Sequence, residues 1–428
     1  MKYVDNGKGN ERIPLMSLIA ILSISLTVNL PGLAITPVMG KIKEVFYPVS
    51  ELEVELLSSL PNLVIIPIIL WTGRLSLHYR KVAILATGLL IFLAGAVAYL
   101  FANSLLLLIL LGCLVGIGCG FVIPLAAGMI SDNFHGSRNA AVLGMKSGTS
   151  NGAVIIATIF VGWVAAHNWH LAFLVYLIPI VPLVLLPFMS EKYITKNTID
   201  TALPDSAKPV ANATASKSVT HTAENTELPQ MSNRERVLRL FAIMGVYIVI
   251  TYSTTSLFYC LPFTMAHYKL STSAVGIATA MFYTAAMIFG FALPGFKRIF
   301  RDFTMPISIF ITLGGMVLMM FVHTFAAYVI GVFMTGVGYG IVQPMIYNKT
   351  TALAPNPSKN TQYFAYVLTG NYIAIAAAPF FVKLAATICH TTTEASPDFA
   401  IILAAVVTAT LLGVSLIFVK DYAFKTER

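Results

Sequence analysis

Gly116-Ile117-Gly118-Cys119-Gly120-Phe121-Val122-Ile123-Pro124 returns as Gly336-Val337-Gly338-Tyr339-Gly340-Ile341-Val342-Gln343-Pro344, at an offset of 220 residues. Both copies lie wholly inside apolar runs. A glycine series is a nucleotide fingerprint only where a strand precedes it and a helix follows. Inside an apolar helix it marks the close approach of neighbouring helices. The same reading covers Gly144, Gly148 and Gly152. Gly73, before a basic turn, finds a counterpart in Gly295, before Lys297 and Arg298. The chain therefore reads as two similar halves.

The runs that hold these glycines are two of twelve. A helix needs about 20 apolar residues to cross a hydrocarbon core ~30 Å thick. Runs of that kind fall at about 13–40, 54–74, 82–101, 105–131, 140–166 and 170–189, and again at about 237–266, 273–296, 304–322, 325–348, 362–388 and 399–419. Composition agrees: of 428 residues, 57% are hydrophobic and 11% charged, with a mean hydropathy of +0.81. A soluble domain carries about 25% charge, so much of this surface has to face lipid. The sequence has no series of alternating strands of about ten residues, the mark of a membrane barrel. These readings predict an all-α membrane protein with twelve transmembrane helices in two parallel-repeated six-helix bundles. The bundles take residues 1–189 and 237–428. Between them, 190–236 is rich in Ser, Thr, Ala, Asn and Lys and reads as a flexible linker.

The net charge of +9 does not point to nucleic acid, because the basic residues sit in short runs between apolar segments. Sorted by loop, Arg74, Arg80, Lys81, Arg138, Lys297, Arg298, Arg301, Lys349 and Lys359 fall on the side of both termini. Lys41, Lys43, Lys269 and Lys383 fall on the other. The positive-inside rule then places both termini and the linker in the cytoplasm. The first run is too long for the apolar region of a cleavable signal, so it reads as a helix that stays. Cys113, Cys119, Cys260 and Cys389 lack metal-ligand spacing, and neither a metal nor a cofactor is expected.

The whole chain resembles the major facilitator superfamily, in its twelve-helix bacterial branch. The resemblance rests on the six-plus-six layout and on three loops. Gly73-Arg-Leu-Ser-Leu-His-Tyr-Arg80-Lys81 joins the second and third segments, Asp132-Asn-Phe-His-Gly-Ser-Arg138 joins the fourth and fifth, and Asn168-Trp169-His-Leu-Ala-Phe173 opens the sixth. The resemblance implies a transporter rather than an enzyme, a monomer in a bacterial inner (cell) membrane. It also implies that Gly73, Lys81, Asp132 and Arg138 belong to an inner gate, against the plainer reading of positive-inside decoration. The chain departs from the family pattern in places. Leu77 and Arg80 stand where the first signature has an acid and a glycine, Gly112 stands for a helix-four arginine, and Gly152-Ala153 replaces the Gly-Pro of antiporters. Drug–proton antiport does not follow from such a sequence.

Lys146, about two turns into the fifth segment, is the sharpest single feature. A cation in lipid is costly unless it faces a cavity or a partner, so it is a candidate to attract an anionic solute. The competing reading has its long stem snorkel to the surface or pair with Asp132. Acids inside segments are scarce: Glu51, Glu53 and Glu55 cluster at one end of the second, and Glu55 is the candidate for coupling a proton or other ion. Tyr252, Ser256 and Tyr259 share a face of the seventh segment, as do Tyr339, Gln343 and Tyr347 on the tenth. Asn29, Asn62, Asn151, Tyr283, Asn371 and Tyr372 are further polar groups in apolar settings. Such groups need partners or water, which a solute path between the halves supplies. Hydrogen bonding within each bundle is the alternative.

The expected function is secondary active transport of a small organic solute by alternating access. The aromatic stripes favour ion-coupled efflux of a metabolite or drug-like compound, and Lys146 favours uptake or exchange of an organic anion. A non-transporting membrane receptor in the same fold is a third reading.

Overall fold

In the computed structural model, residues 3–5, 12–33, 42, 45–48, 51–165, 168–189, 232–270, 272–389 and 398–418 are described. Ten of the segments are single helices. Segments two to five are Glu51–Leu75, Lys81–Tyr99, Leu105–Asn133 and Gly136–Ala165. Segments seven to twelve are Asn233–His267, Thr272–Phe300, Thr304–Phe321, Phe325–Leu353, Asn360–Ile388 and Phe399–Ile417. Segment six is composite, with a 3₁₀ stretch His170–Leu177 before Ile180–Leu185. Segment one is broken: Leu15–Ser23 passes into the 3₁₀ turn Ile24–Leu26, and helix resumes only at Leu30–Leu33. A short antiparallel ribbon, Tyr3–Asp5 with Arg12–Pro14, is an addition to the all-helical expectation. Most of the 190–236 interval lies outside the described residues, and segment seven begins at Asn233, slightly earlier than the sequence suggests.

The two glycine repeats do the same packing. On segment four, a Cβ at Gly116 would stand 2.7 Å from the Pro61 carbonyl oxygen, and one at Gly120 2.7 Å from Ile68, both on segment two. The middle glycine, Gly118, faces segment three, where a Cβ would meet the Phe92 nitrogen at 2.5 Å. On segment ten, Gly336 and Gly340 lie against Phe282 and Ala286 of segment eight, and Gly338 against Ser308 and Thr312 of segment nine. Glycine spacing thus sets which neighbours each helix takes. The two helices also start alike: the Ser104 and Thr324 hydroxyls accept from the N–H groups of Leu107 and Ala327, each at 3.3 Å.

By length and composition, seven of the described helices can cross a membrane, or eight if the bent segment eleven is one span. One of the seven, Ala274–Phe321, is a run of 48 residues. At ~1.5 Å per residue that is about twice the thickness of the hydrocarbon core. Arg301, with φ +48°, divides it into segments eight and nine. Segment eleven bends by 50° between Ala378 and Phe380, where Pro379 supplies no N–H. Segments one, two and five miss the criterion. The first is broken, and in the second and fifth some side chains of the apolar run lie outside the described residues. Large apolar side chains such as Trp163, Phe321 and Phe380 point outward, mostly exposed, as a lipid-facing surface requires.

Two seams join the first six segments to the last six. Gly73 of segment two lies against Ala365 of segment eleven, where a Cβ would stand 2.6 Å from the alanine methyl. Gly144 and Gly148 of segment five face Gly290 and Phe291 of segment eight. These contacts lie toward the end that carries Arg80 and Lys81, here called the basic end.

Candidate functional site

Segment five presents Lys146, Ser147, Ser150 and Asn151, two i, i+4 pairs on one face, all buried. Lys146 is 2% exposed, and its Nζ stands 4.6 Å from the centre of the Tyr347 ring on segment ten. Among the described residues no carboxylate pairs with it. A cation–π contact contributes about 0.5–2 kcal/mol, less than the several kcal/mol an ion loses on leaving water. The ammonium is therefore under-compensated where it sits. Nor does it reach Asp132, whose carboxylate is held by Lys81 at 2.6 Å.

A hydrogen-bonded network surrounds this cation. Ser147 Oγ donates to Gln343 Oε1, and Gln343 Nε2 donates to the hydroxyls of Tyr247 at 3.1 Å and Tyr339 at 3.2 Å. The Gln343 side chain thus holds three hydroxyls at once, one on its carbonyl and two on its amide. The Tyr247 and Tyr347 hydroxyls are 3.1 Å apart, with their rings edge-on at 88°. Thr251 Oγ1 donates to Asn371 Oδ1 at 2.7 Å, tying segment seven to segment eleven. On the other flank, Ser150 Oγ donates to the Ser25 carbonyl at 2.9 Å, in the break of segment one. The network thus joins segments five, seven and ten, with segments one and eleven at its edges.

The residues singled out from sequence divide into groups. Lys146, Tyr339, Gln343 and Tyr347 come together, with Asn151 next to Ser150 and Asn371 one bond away through Thr251. Tyr372 is buried beside Asn371 on segment eleven. Tyr283 lies in an aromatic group with Phe258 and Phe282. Tyr252 is half-buried against Phe381, with ring centroids 6.0 Å apart, and Ser256 is fully buried. The side chains of Tyr259, Glu51, Glu53 and Glu55 lie outside the described residues. Asn29 is half-buried in the break of segment one, and Asn62 is half-buried after Pro61. Lys349, counted above as a loop cation, is a second buried lysine, within segment ten. Tyr247, Thr251, Ser147 and Ser150 were not singled out. The i, i+4 spacing of Tyr247 with Thr251, and of Ser147 with Asn151, puts each pair on one helix face.

At the basic end a second cluster bridges the seam. The Asp132 carboxylate takes Lys81 Nζ on one oxygen and, on the other, Asn360 Nδ2 of segment eleven at 3.1 Å. Ser131 Oγ is 2.7 Å from Thr351 Oγ1, and Asn139 Nδ2 donates to Asn348 Oδ1 at 3.3 Å. Arg138 stands apart from this cluster, half-exposed, its Nε 3.6 Å from Asp5 of the terminal ribbon.

A sequence model described as Major Facilitator Superfamily matches residues 15–379 and, again, 243–425. A stretch of 176 residues is 28% identical to the multidrug transporter protein MdtP of Bacillus subtilis (strain 168), covering 40% of this chain and 31% of that protein. The matched stretch thus spans about a third of the length of that relative. Among solved structures, the human organic anion transporter MFSD10 superposes with a TM-score of 0.68 at 11% identity, over 93% of this chain and 97% of the other. The proton:xylose symporter XylE, bound to 6-bromo-6-deoxy-D-glucose, gives 0.70 at 12% identity, over 96% and 97%. At such identities the likeness is one of fold. The sequence match covers most of the chain, and its members are transporters rather than enzymes: this chain is a multi-pass membrane protein that belongs to the Major Facilitator Superfamily.

Proposed function

We propose that the chain is a secondary active transporter that moves a small organic solute by alternating access, and that the solute carries an anionic group. The observation that supports this reading is Lys146, a buried ammonium between segments of the two halves with a tyrosine ring and, among the described residues, no carboxylate beside it. A cation so placed attracts an anion that arrives with the solute and leaves with it. Residues 1–189 and 237–428 act as two rocking bodies, joined by the 190–236 linker on the cytoplasmic side. The bonds from Asp132, Ser131 and Asn139 across the seam hold the basic end shut, which is the cytoplasmic end under the positive-inside rule. The protein works as a monomer in the cell membrane, driven by an ion gradient or by exchange.

Counterflow in proteoliposomes tests the proposal. Organic anions should exchange, and Lys146→Met should reduce that exchange at least tenfold while the protein still folds, since an apolar isostere of a buried charge is tolerated. The tyrosines at 247, 339 and 347 and the partial match to a multidrug transporter favour a second reading, efflux of an amphipathic compound. Exchange of cationic drugs, unchanged by Lys146→Met, would replace the first reading with the second. Absence of flux across anions, cationic drugs and sugars would leave a receptor in the same fold.

A further inference from the structure

Among the described residues, three buried side-chain atoms on segments one and five have no hydrogen-bond partner: Ser25 Oγ, Thr27 Oγ1 and Asn151 Nδ2. Ser25 and Thr27 are fully buried, and Asn151 is 2% exposed. Buried polar groups are nearly always paired, so three orphans in one neighbourhood call for an explanation. Their backbone is not the source of the deficit. Across the break, Thr27 N–H donates to the Ile24 carbonyl at 3.1 Å, and Leu30 N–H to the Thr27 carbonyl at 3.3 Å. The unmet capacity belongs to the side chains.

Their placement links them to the cation. Ser150 holds the Ser25 carbonyl at 2.9 Å, Asn151 is the next residue of segment five, and Lys146 lies one turn from Ser150 on the same face. Cys119 Sγ, on segment four, is 3.7 Å from the Thr27 carbonyl and 3.6 Å from that of Val28, so the break is pinned between segments four and five. An amide N–H₂, two hydroxyls and an ammonium are all hydrogen-bond donors. A metal cation here would be repelled by Lys146, whereas an oxyanion accepts from all four.

We infer that the break in segment one completes the solute seat, with Ser25, Thr27, Asn151 and Lys146 forming a donor cradle for the carboxylate or phosphate group of the transported anion. This rests on the anionic reading of Lys146 and extends it to residues on another segment. It carries an uncommon signature. Because the hydroxyls are unpaired without solute, removing them should not destabilise the empty protein, yet it should weaken binding.

Thermal melting of the full chain in detergent, at fixed ionic strength, tests this with benzoate, succinate and inorganic phosphate as probes. At least one probe should raise the melting temperature of the unmodified protein saturably, as mass action requires. In Thr27→Val and in Ser25→Ala the apparent Kd should rise about tenfold, with the probe-free melting temperature unchanged or higher. Asn151→Leu should behave likewise, and the two hydroxyl variants carry the test if it fails to fold. If Lys146→Met abolishes binding while Thr27→Val and Ser25→Ala keep full affinity, the anion binds at Lys146 and the cradle is wrong. A lower probe-free melting temperature in both hydroxyl variants, with affinity intact, makes these groups structural and overturns the inference. If no probe stabilises the unmodified protein, the cradle falls, and stabilisation by a sugar or a cationic drug instead removes the anionic reading with it.

Discussion

Segments four and ten start from equivalent caps, pack through equivalent glycines and carry equivalent prolines, but their other faces differ. Where segment ten has Tyr339, Gln343 and Tyr347, the positions 220 residues earlier on segment four are Cys119, Ile123 and Ala127, all buried. The repeat therefore fixes which helices touch, and the chemistry is added on one copy only. The first half contributes its charge elsewhere, from Lys146 on segment five. Scaffold and site are separable in this molecule, and substitutions should sort accordingly.

The largest effects are expected where the scaffold is the same in both halves. Gly118→Val and Gly338→Val each drive side-chain atoms into a facing helix, the first into the Phe92 backbone and the second into Ser308 and Thr312. Both should reach or exceed the ~3 kcal/mol upper end of ordinary overpacking. Loss of monodisperse protein after detergent extraction is the readout. Tolerance of one substitution but not the other would break the equivalence of the two helices.

A smaller effect separates the faces. Gln343→Leu takes a partner from Ser147, Tyr247 and Tyr339, and leaving a buried hydroxyl unpaired costs about 1–3 kcal/mol. Ile123→Val, at the matching position, removes one methylene for about 0.5–1.5 kcal/mol. Melting temperature should fall in both, and counterflow should be lost only in Gln343→Leu. Equal loss of transport in the two would mean that segment four also lines the path.

The scaffold was legible because glycines at fixed spacing in an apolar run have few other uses, and Lys146 because a charge inside an apolar run is rare and costly. The site's remaining members were hidden for physical reasons. Segment seven has polar side chains at every position from Thr251 to Ser256, so spacing alone does not choose a face; the structure brings Thr251, with Tyr247 a turn earlier, to the network. Ser25 and Thr27 were hidden differently. A hydroxyl in an apolar helix ordinarily returns to its own backbone, as Thr72 does to Ile68 and Thr312 to Ser308. In the break of segment one, just before Pro31, the Ser25 and Thr27 hydroxyls find no such acceptor among the described residues. The Arg138–Asp5 contact has no mark in sequence, because it depends on a ribbon folded against a distant loop.

The last comparison, which ends on the smallest effect, concerns the basic end, where sequence ranks Asp132 and Arg138 alike and structure does not. Asp132 is nearly buried, bonded to Lys81 within its own half and to Asn360 across the seam. Asp132→Asn keeps the shape and the acceptor for Asn360 but removes the charge facing Lys81. A hydrogen bond to a charged partner is worth about 1.5–3 kcal/mol, so the melting temperature should fall measurably. The basic end should also open more readily, seen as faster alkylation of a cysteine introduced in place of Ser131. Arg138 and Asp5 are about half-exposed and 3.6 Å apart, a geometry that contributes about 0–1 kcal/mol and is screened by salt. Arg138→Ala should therefore leave both melting and alkylation within error at moderate salt. If Arg138→Ala speeds alkylation as much as Asp132→Asn does, the latch is spread over the whole loop and the difference between buried and exposed charges is not what closes this end.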